Sequence, residues 1–265
     1  MRQTDPYWWE AAPPRTLAQV PVAPQCDVVI IGAGYTGLSA ALTLARAGRS
    51  VQVFDKMRPG EGASTRNGGI ASGNLRPGYE ELAKKFGVER AKAIQVEAKV
   101  AREDLTDFIR RENIDCDFAM TGRFSGASNP ADYEMLAREA DRLSRQLGVE
   151  AHAVPRSEQR SILGTDFYHG GMVRSDIGGL HPAKLHAGML KSAIDSGAVV
   201  HGEAAVERVR ATGVKFEVTT ARGMVTCDHV ITGTNGYTDQ SDKWLRRRLV
   251  PVAAASSPRR RCPTT

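Results

Sequence analysis

Two runs of small residues carry the chemistry for which this chain can be read. Gly32-Ala33-Gly34-Tyr35-Thr36-Gly37 fits GxGxxG, and Gly60-Glu61-Gly62-Ala63-Ser64-Thr65-Arg66-Asn67-Gly68-Gly69 is a second glycine-rich stretch further on. In the first run Gly32 permits a tight turn and Gly34 lets the backbone approach a pyrophosphate. Gly37 lets a helix lie close on a strand, so that its first amides, with Tyr35 and Thr36 among them, face the phosphates. The hexapeptide alone is weak evidence, but its surroundings add to it. Asp27–Ile31 (DVVII) reads as a buried strand before it, and a helix with Leu38, Ala41, Leu42 and Ala45 on one face comes after it. Gly48 stops that helix, and Val51–Asp55 reads as a second strand ending in an acid. Asp55 lies 18 residues after Gly37, where a carboxylate accepts hydrogen bonds from a ribose diol and would repel a 2′-phosphate. Lys56 beside it leaves the phosphorylated ribose as a second option. The plainer alternative is a glycine turn and then a surface aspartate.

The segment after the second strand bears on which dinucleotide is meant. A nicotinamide domain continues with regular βα repeats. Here the chain enters the second glycine-rich run, which offers Ser64 and Thr65 as hydroxyls, Arg66 and Asn67 as donors, and Gly68 and Gly69 for close approach. Such a loop could run under a flavin, with N–H groups at the ring edge where negative charge develops on reduction. Taken in isolation, the plainer alternative is a solvated glycine-rich loop. Arg66 could stabilise reduced flavin or bind a substrate carboxylate, or be a surface arginine. His181 could line a substrate pocket, although a histidine just before Pro182 more often packs or caps at the start of a helix. His181 and His186 form no HExxH pair, so no metal site is expected. Cys26, Cys116, Cys227 and Cys262 are far apart with no CxxC, which is neither a disulfide framework nor a zinc site.

The βαβ unit, the run GEGASTRNGG, DIGGLHP at Asp176–Pro182 and ITGTNGYT at Ile231–Thr238 together resemble the D-amino-acid-oxidase-like flavoenzyme superfamily. The branch they are most similar to is the bacterial amine-oxidising one that includes γ-glutamylputrescine oxidoreductase. The resemblance runs from about Pro6 to Val250; the first two motifs are fairly specific, while the last two mainly support the superfamily. It implies FAD as cofactor, an FAD-binding α/β domain, and a sheet-based substrate domain entered from the middle of the chain. Gly32, Gly34 and Gly37 would then hold the pyrophosphate and Asp55 the adenosine ribose. Ser64, Thr65, Arg66, Asn67, Gly68 and Gly69 would line the flavin. Val206 would meet adenine through its backbone, and Thr232, Gly233, Thr234 and Asn235 would return the chain to the cofactor. The implied reaction is oxidation of a C–N bond in a small amine or amino acid, with hydride passing to flavin N5 and the imine product hydrolysing in water. The family's later glycine-rich segment over the isoalloxazine has no counterpart here, nor does the cysteine that anchors flavin covalently in some relatives. The chain is therefore expected to be C-terminally incomplete. A nicotinamide-dependent dehydrogenase and a catalytically incompetent FAD-binding fragment remain as other readings.

The elements that must position these residues are read from periodicity and punctuation. Helices are expected at Glu80–Phe86, Val88–Arg111, Pro130–Leu147, Arg156–Leu163 and Pro182–Ser196. In the long helix Ala91, Ile94, Ala98, Ala101, Leu105 and Phe108 share one face. Strands are expected at Gly170–Arg174, Val199–Gly202, Ala205–Arg210, Val214–Thr220 and Met224–Cys227, with a final short buried strand at His229–Thr232. The fold class is α/β: a Rossmann-like FAD-binding βαβ domain interleaved with a partly formed, sheet-based substrate domain. Residues 1–25 form an arm carrying Tyr7, Trp8 and Trp9, either packing glue or similar to an aromatic arm near the flavin in this branch. Residues 26–80 hold the βαβ unit and flavin loop, and 81–180 the helical segments and the start of the substrate domain. Residues 181–250 return to the cofactor domain, and 251–265 are a disordered tail. The sheet begun by Val206–Cys227 is expected to lack strand partners and to expose apolar surface, so the chain is expected to turn over poorly.

Composition narrows the class of function. Of the 265 residues 41% are apolar and 25% charged, as in an ordinary globular chain. Lys and Arg exceed Asp and Glu to give a formal charge of +6, and the arginines at 246–248 and 259–261 account for all of it. No basic face is implied over the body, so nucleic acid is not an expected partner. No apolar run approaches the roughly 20 residues that span a bilayer, and no signal-peptide pattern opens the chain, so a cytoplasmic location is expected. Composition says nothing of the oligomeric state.

Overall fold

The structure is a computed structural model, and it describes residues 5–252. The expected tail from residue 253 onward, with Cys262, lies outside the described residues. In chain order the elements begin β1 (Gln25–Ile31), α1 (Tyr35–Arg46), β2 (Val51–Phe54), β3 (Ile70–Ala71), α2 (Tyr79–Phe86), α3 (Val88–Arg111) and β4 (Arg123–Gly126). They continue α4 (Pro130–Leu147), β5 (Ala151–Val154), α5 (Gln159–Ile162), β6 (Gly171–Arg174), β7 (Gly178–Gly179) and α6 (Pro182–Asp195). The last are β8 (Val199–His201), β9 (Val206–Thr212), β10 (Lys215–Thr220), β11 (Gly223–Thr232) and α7 (Lys243–Arg246).

Two compact units are present: one from the residues up to Gly68, Ile114–Cys116 and His181 onward, the other from Gly69–Asn113 and Asp117–Leu180. The first is built on a six-stranded sheet in the order β8-β2-β1-β11-β10-β9. Its β8, β2, β1 and β11 run parallel, and β10 and β9 continue antiparallel. The end of β1 reads as an apolar run because both faces are covered: Val28–Ile31 are all buried, and so are all four residues of β2, where the Gln52 side chain is satisfied by the Ala23 backbone. The meander Val206–Cys227 is not partnerless, contrary to expectation. The free edge of β1 accepts β11, with Cys26 opposite Cys227 and Ile31 opposite Thr232, and this carries the hairpin partners into the same sheet. Val218, Val225 and Cys227 are fully buried against Val29 and Phe54 as a result.

Met224–Cys227 and His229–Thr232 are one strand, not two, and its last stretch is not buried: His229 and Thr232 are exposed. Asp228 looks like a break in the sequence, but its side chain reaches Lys215 Nζ at 3.2 Å on the open side and leaves the ladder intact.

In the second unit β4, β6 and β5 form an antiparallel sheet of three, and β3 pairs with β7. Neither β4 nor β5 was expected, since RFSG and AHAV are short and carry no period-two pattern. α4 has its sequence-expected ends: the Asn129 side chain accepts from the Asp132 amide at 2.9 Å, and Gly148 closes it at φ +60°. The helix expected at Arg156–Leu163 forms only over Gln159–Ile162. Turn bonds to the carbonyls of Pro155 and Arg156 occupy the amides before it, and the buried Gln159 side chain accepts from the Gly170 amide at 3.1 Å. In α3, Ala101 is exposed while Arg102 turns inward, its guanidinium 3.1 Å from the Asp176 carboxylate. That ion pair is invisible to periodicity; Ala91, Ile94, Ala98, Leu105 and Phe108 of the expected face are buried or half-buried. Among the described residues no helix is long and apolar enough to cross a membrane, and no group of His, Cys, Asp or Glu is placed to hold a metal.

Candidate functional site

The end of β1 and the start of α1 form one rigid corner. Gly32 sits at φ +101°, and a Cβ there would lie 2.8 Å from the Gly233 carbonyl oxygen at the end of β11. A Cβ on Gly37 would lie 1.9 Å from the Gly32 carbonyl oxygen, so only glycine lets α1 descend so closely on the turn. The first amides of a helix have no partner within it and carry its positive end. Here the Tyr35 N–H donates to Ser64 Oγ at 3.1 Å, and the hydroxyl proton remains able to donate elsewhere.

Asp55, just past β2, faces this corner. One carboxylate oxygen accepts from the Ala33 amide at 2.8 Å and the other from the Met57 amide at 2.9 Å. The carboxylate thus orients the glycine loop, and each oxygen keeps a lone pair for a diol. From the other side His186, buried on α6, lies with Nε2 2.7 Å from the Ala33 carbonyl. Burial pushes the His186 pKa down. The Tyr35 hydroxyl donates to the Pro182 carbonyl at 2.9 Å, and burial raises its pKa to about 12, so it stays protonated.

These groups line one cleft of about 260 Å³. Of the residues singled out from sequence, it brings together Gly32, Gly34, Tyr35, Thr36, Asp55, Lys56, Ser64, Asn67, Val206, Gly233, Thr234 and Asn235. Gly37 packs behind the turn. Thr65, Arg66, Gly68, Gly69 and Thr232 are not in the lining. Thr65 is buried and accepts the Trp9 indole N–H at 2.8 Å, while the Trp8 indole N–H donates to the Asn67 carbonyl at 2.8 Å. Arg66 donates from Nε to the Glu61 carbonyl at 2.8 Å, and its guanidinium lies 4.5 Å from the Trp9 ring centre. His181 caps α6: Nδ1 accepts from the Lys184 amide at 3.2 Å, and the ring meets Trp8 edge-on at 4.9 Å. Gly68 ends the first unit and Gly69 begins the second.

Tyr237 falls in the motif Ile231–Thr238, whereas the sequence does not mark His186, Asp239 or Ser241 as site residues. His186 is 153 residues from Ala33. Tyr237, Asp239 and Ser241 also line the cleft, and Lys56 ties that stretch down with Nζ 3.0 Å from the Tyr237 carbonyl and 3.3 Å from the Asp239 carboxylate. Chemically the cleft offers amides at a positive helix end for an anion, a carboxylate for a diol, and the edge of a hydroxyl- and amide-bearing loop. A dinucleotide fits that donor set: a side chain on Gly34 would meet Ser64 Oγ at 2.9 Å, so the space beside the helix end is kept clear by the absent Cβ.

The family profile described as FAD dependent oxidoreductase (DAO) matches residues 27–257. The probable oxidoreductase OrdL of Rhizobium meliloti (strain 1021) is 31% identical over 255 residues, covering 92% of this chain and 58% of that protein. The γ-glutamylputrescine oxidoreductase of Escherichia coli (strain K12) is 31% identical over 227 residues, covering 85% and 53%. Among solved structures, glycine oxidase from Geobacillus kaustophilus superposes with a TM-score of 0.69 at 19% identity, over 81% of this chain and 56% of that one. The chain thus spans a little over half the length of the curated relatives it matches.

Proposed function

The chain belongs to the family of FAD-dependent oxidoreductases, and from that premise we propose that it binds FAD in the cleft beside α1 and serves the oxidation of a C–N bond in a small amine or amino acid. One observation carries the reading: the glycine corner, Asp55, and Ser64 and Asn67 of the second glycine-rich run all line the same cleft. Gly32, Gly34, Tyr35 and Thr36 would hold the pyrophosphate, with Ser64 donating its free hydroxyl proton. Asp55 would take the adenosine ribose while keeping its grip on the Ala33 amide, and Val206 would border the adenine. Asn67 would face the flavin half, and Gly233, Thr234 and Asn235, which also line the cleft, would close the pyrophosphate side.

Bound there, FAD would supply the two-electron acceptor for oxidation of the carbon next to nitrogen. The protein's own part is to hold the cofactor edge, orient the neutral amine and exclude water. Arg66, stacked on Trp9, and His181, capping α6, lie outside the cleft lining, and their proposed part is to brace the loop. Residues 26–80 and 181–250 form the cofactor-binding part in this proposal, and 81–180 begin the substrate domain.

The test is an absorbance spectrum of purified protein before and after a panel of amines and amino acids. Flavin absorption near ~450 nm that bleaches anaerobically with one of them supports the whole reading. A spectrum without flavin after incubation with FAD removes it and returns the nicotinamide alternative.

A further inference from the structure

His186 lies outside both glycine runs, yet it is 3% exposed and its Nε2 is hydrogen-bonded to the Ala33 carbonyl at 2.7 Å. A carbonyl oxygen only accepts, so Nε2 must carry the proton and donate. The Ala33 amide, at the other end of the same residue, is taken by Asp55 at 2.8 Å. Ala33 is therefore gripped from both sides, by a residue after β2 and a residue on α6. The Nδ1 side of the ring faces Gly60 at the start of the second glycine run.

In a trans peptide the C=O and the adjoining N–H point in opposite directions. Fixing the Ala33 carbonyl on His186 consequently turns the Gly34 N–H away from α6, and Gly34 lines the cleft. We propose that His186 is a positioning residue for the dinucleotide pyrophosphate: it sets the Ala33–Gly34 peptide plane so that the Gly34 amide faces the phosphate. This rests on the reading of the cleft as an FAD site. It makes the anion site a product of three separate elements, with the glycine pattern supplying space and His186 and Asp55 supplying orientation.

Binding of FAD and of riboflavin, which lacks the phosphates, is measured by flavin fluorescence titration for wild type, His186→Leu and His186→Gln. Glutamine can place an amide N–H where Nε2 stands; leucine cannot. Leucine should weaken FAD roughly tenfold, as expected for one lost orienting hydrogen bond. Riboflavin affinity should be unchanged, and glutamine should recover FAD affinity to within about threefold. FAD affinity in His186→Leu equal to wild type overturns the proposal, and so does an equal loss of riboflavin. If the leucine protein fails to fold, His186→Asn replaces it, being one methylene short of Ala33; equal FAD affinity in the Asn and Gln proteins then overturns the proposal. Wild-type protein that takes up no FAD overturns the cofactor reading instead. The clamp is then judged by NMR on the apo chain, where the Gly34 amide resonance must move in the leucine (or asparagine) protein and stay in place with glutamine.

Discussion

At the scale of single residues, the three glycines of the first run do different things, and substitution separates them. A Cβ on Gly37 would have to sit 1.9 Å from a backbone oxygen, so Gly37→Ala must push α1 off the sheet. Overpacking of that kind costs about 1–3 kcal/mol or more. A Cβ on Gly34 meets only the Ser64 hydroxyl, which can turn aside. Gly34→Ala should therefore keep the fold within about 1 kcal/mol while losing most FAD affinity. Thermal melts and FAD titrations of the two apo proteins check this; a Gly34→Ala protein that binds FAD normally would contradict the pyrophosphate role. Asp55 shows the same division. Its carboxylate already takes two backbone amides, so part of what an acid contributes at this position is loop geometry and not ribose recognition.

At the scale of elements, the N-terminal arm has structural content that composition does not show. The short turn Tyr7–Trp9 places two indole N–H groups on the second glycine run and lays the Trp9 ring under Arg66. Such a strap competes with the conformational freedom of a glycine-rich loop, which otherwise loses much entropy on ordering. Replacing Trp9 by Phe keeps most of the apolar contact but removes the donor to buried Thr65. The expected cost is about 1 kcal/mol of stability, with faster backbone exchange confined to residues 60–68. Hydrogen exchange read by mass spectrometry checks it: uniform exchange changes, or none, would show that the arm does not brace this loop. α6 is a second brace, capped by His181 and tied to α1 through the Tyr35 hydroxyl.

At the scale of the molecule, the titration of buried histidine gives folding a pH dependence with a definite sign. Burial lowers the His186 pKa, and burial first and Arg222 second lower that of His201, whose Nδ1 has no hydrogen-bond partner among the described residues. The unfolded chain therefore binds protons that the folded chain refuses. The stability is fully present above the ordinary histidine pKa of 6.5 and is lost progressively as pH falls below it. Urea midpoints of the apo protein should fall between about pH 7.5 and about pH 5.5. This range lies above that in which Glu61 and Asp239, both held low by hydrogen bonds and a nearby cation, add their own acid sensitivity. The His186→Gln protein should show a shallower fall over the same range. Equal slopes would mean that His186 is not kept neutral by the fold.

The sequence by itself determined what depends on neighbours a few residues apart. The steric freedom of Gly32 and Gly37, the β-branched run of β1, the spacing of α1 and the caps of α4 are all written locally, and with them the Rossmann-like corner and its likeness to flavin-dependent relatives. Only the tertiary structure decided which edge of β1 receives β11. A local reading left the strands from Val206 to Cys227 unpartnered, because nothing within them says that β1 has a vacant side. Asp228 likewise appeared to end a strand because its polarity is local, whereas the ladder it belongs to is not. The grip of His186 on Ala33, of Asp55 on the same residue, and of Trp8 and Trp9 on the second glycine run join segments far apart in the chain. A hydrogen bond of that kind depends on the rotation of a helix and the path of an arm, and those are set by burial across the whole unit, with no period in the sequence to announce them.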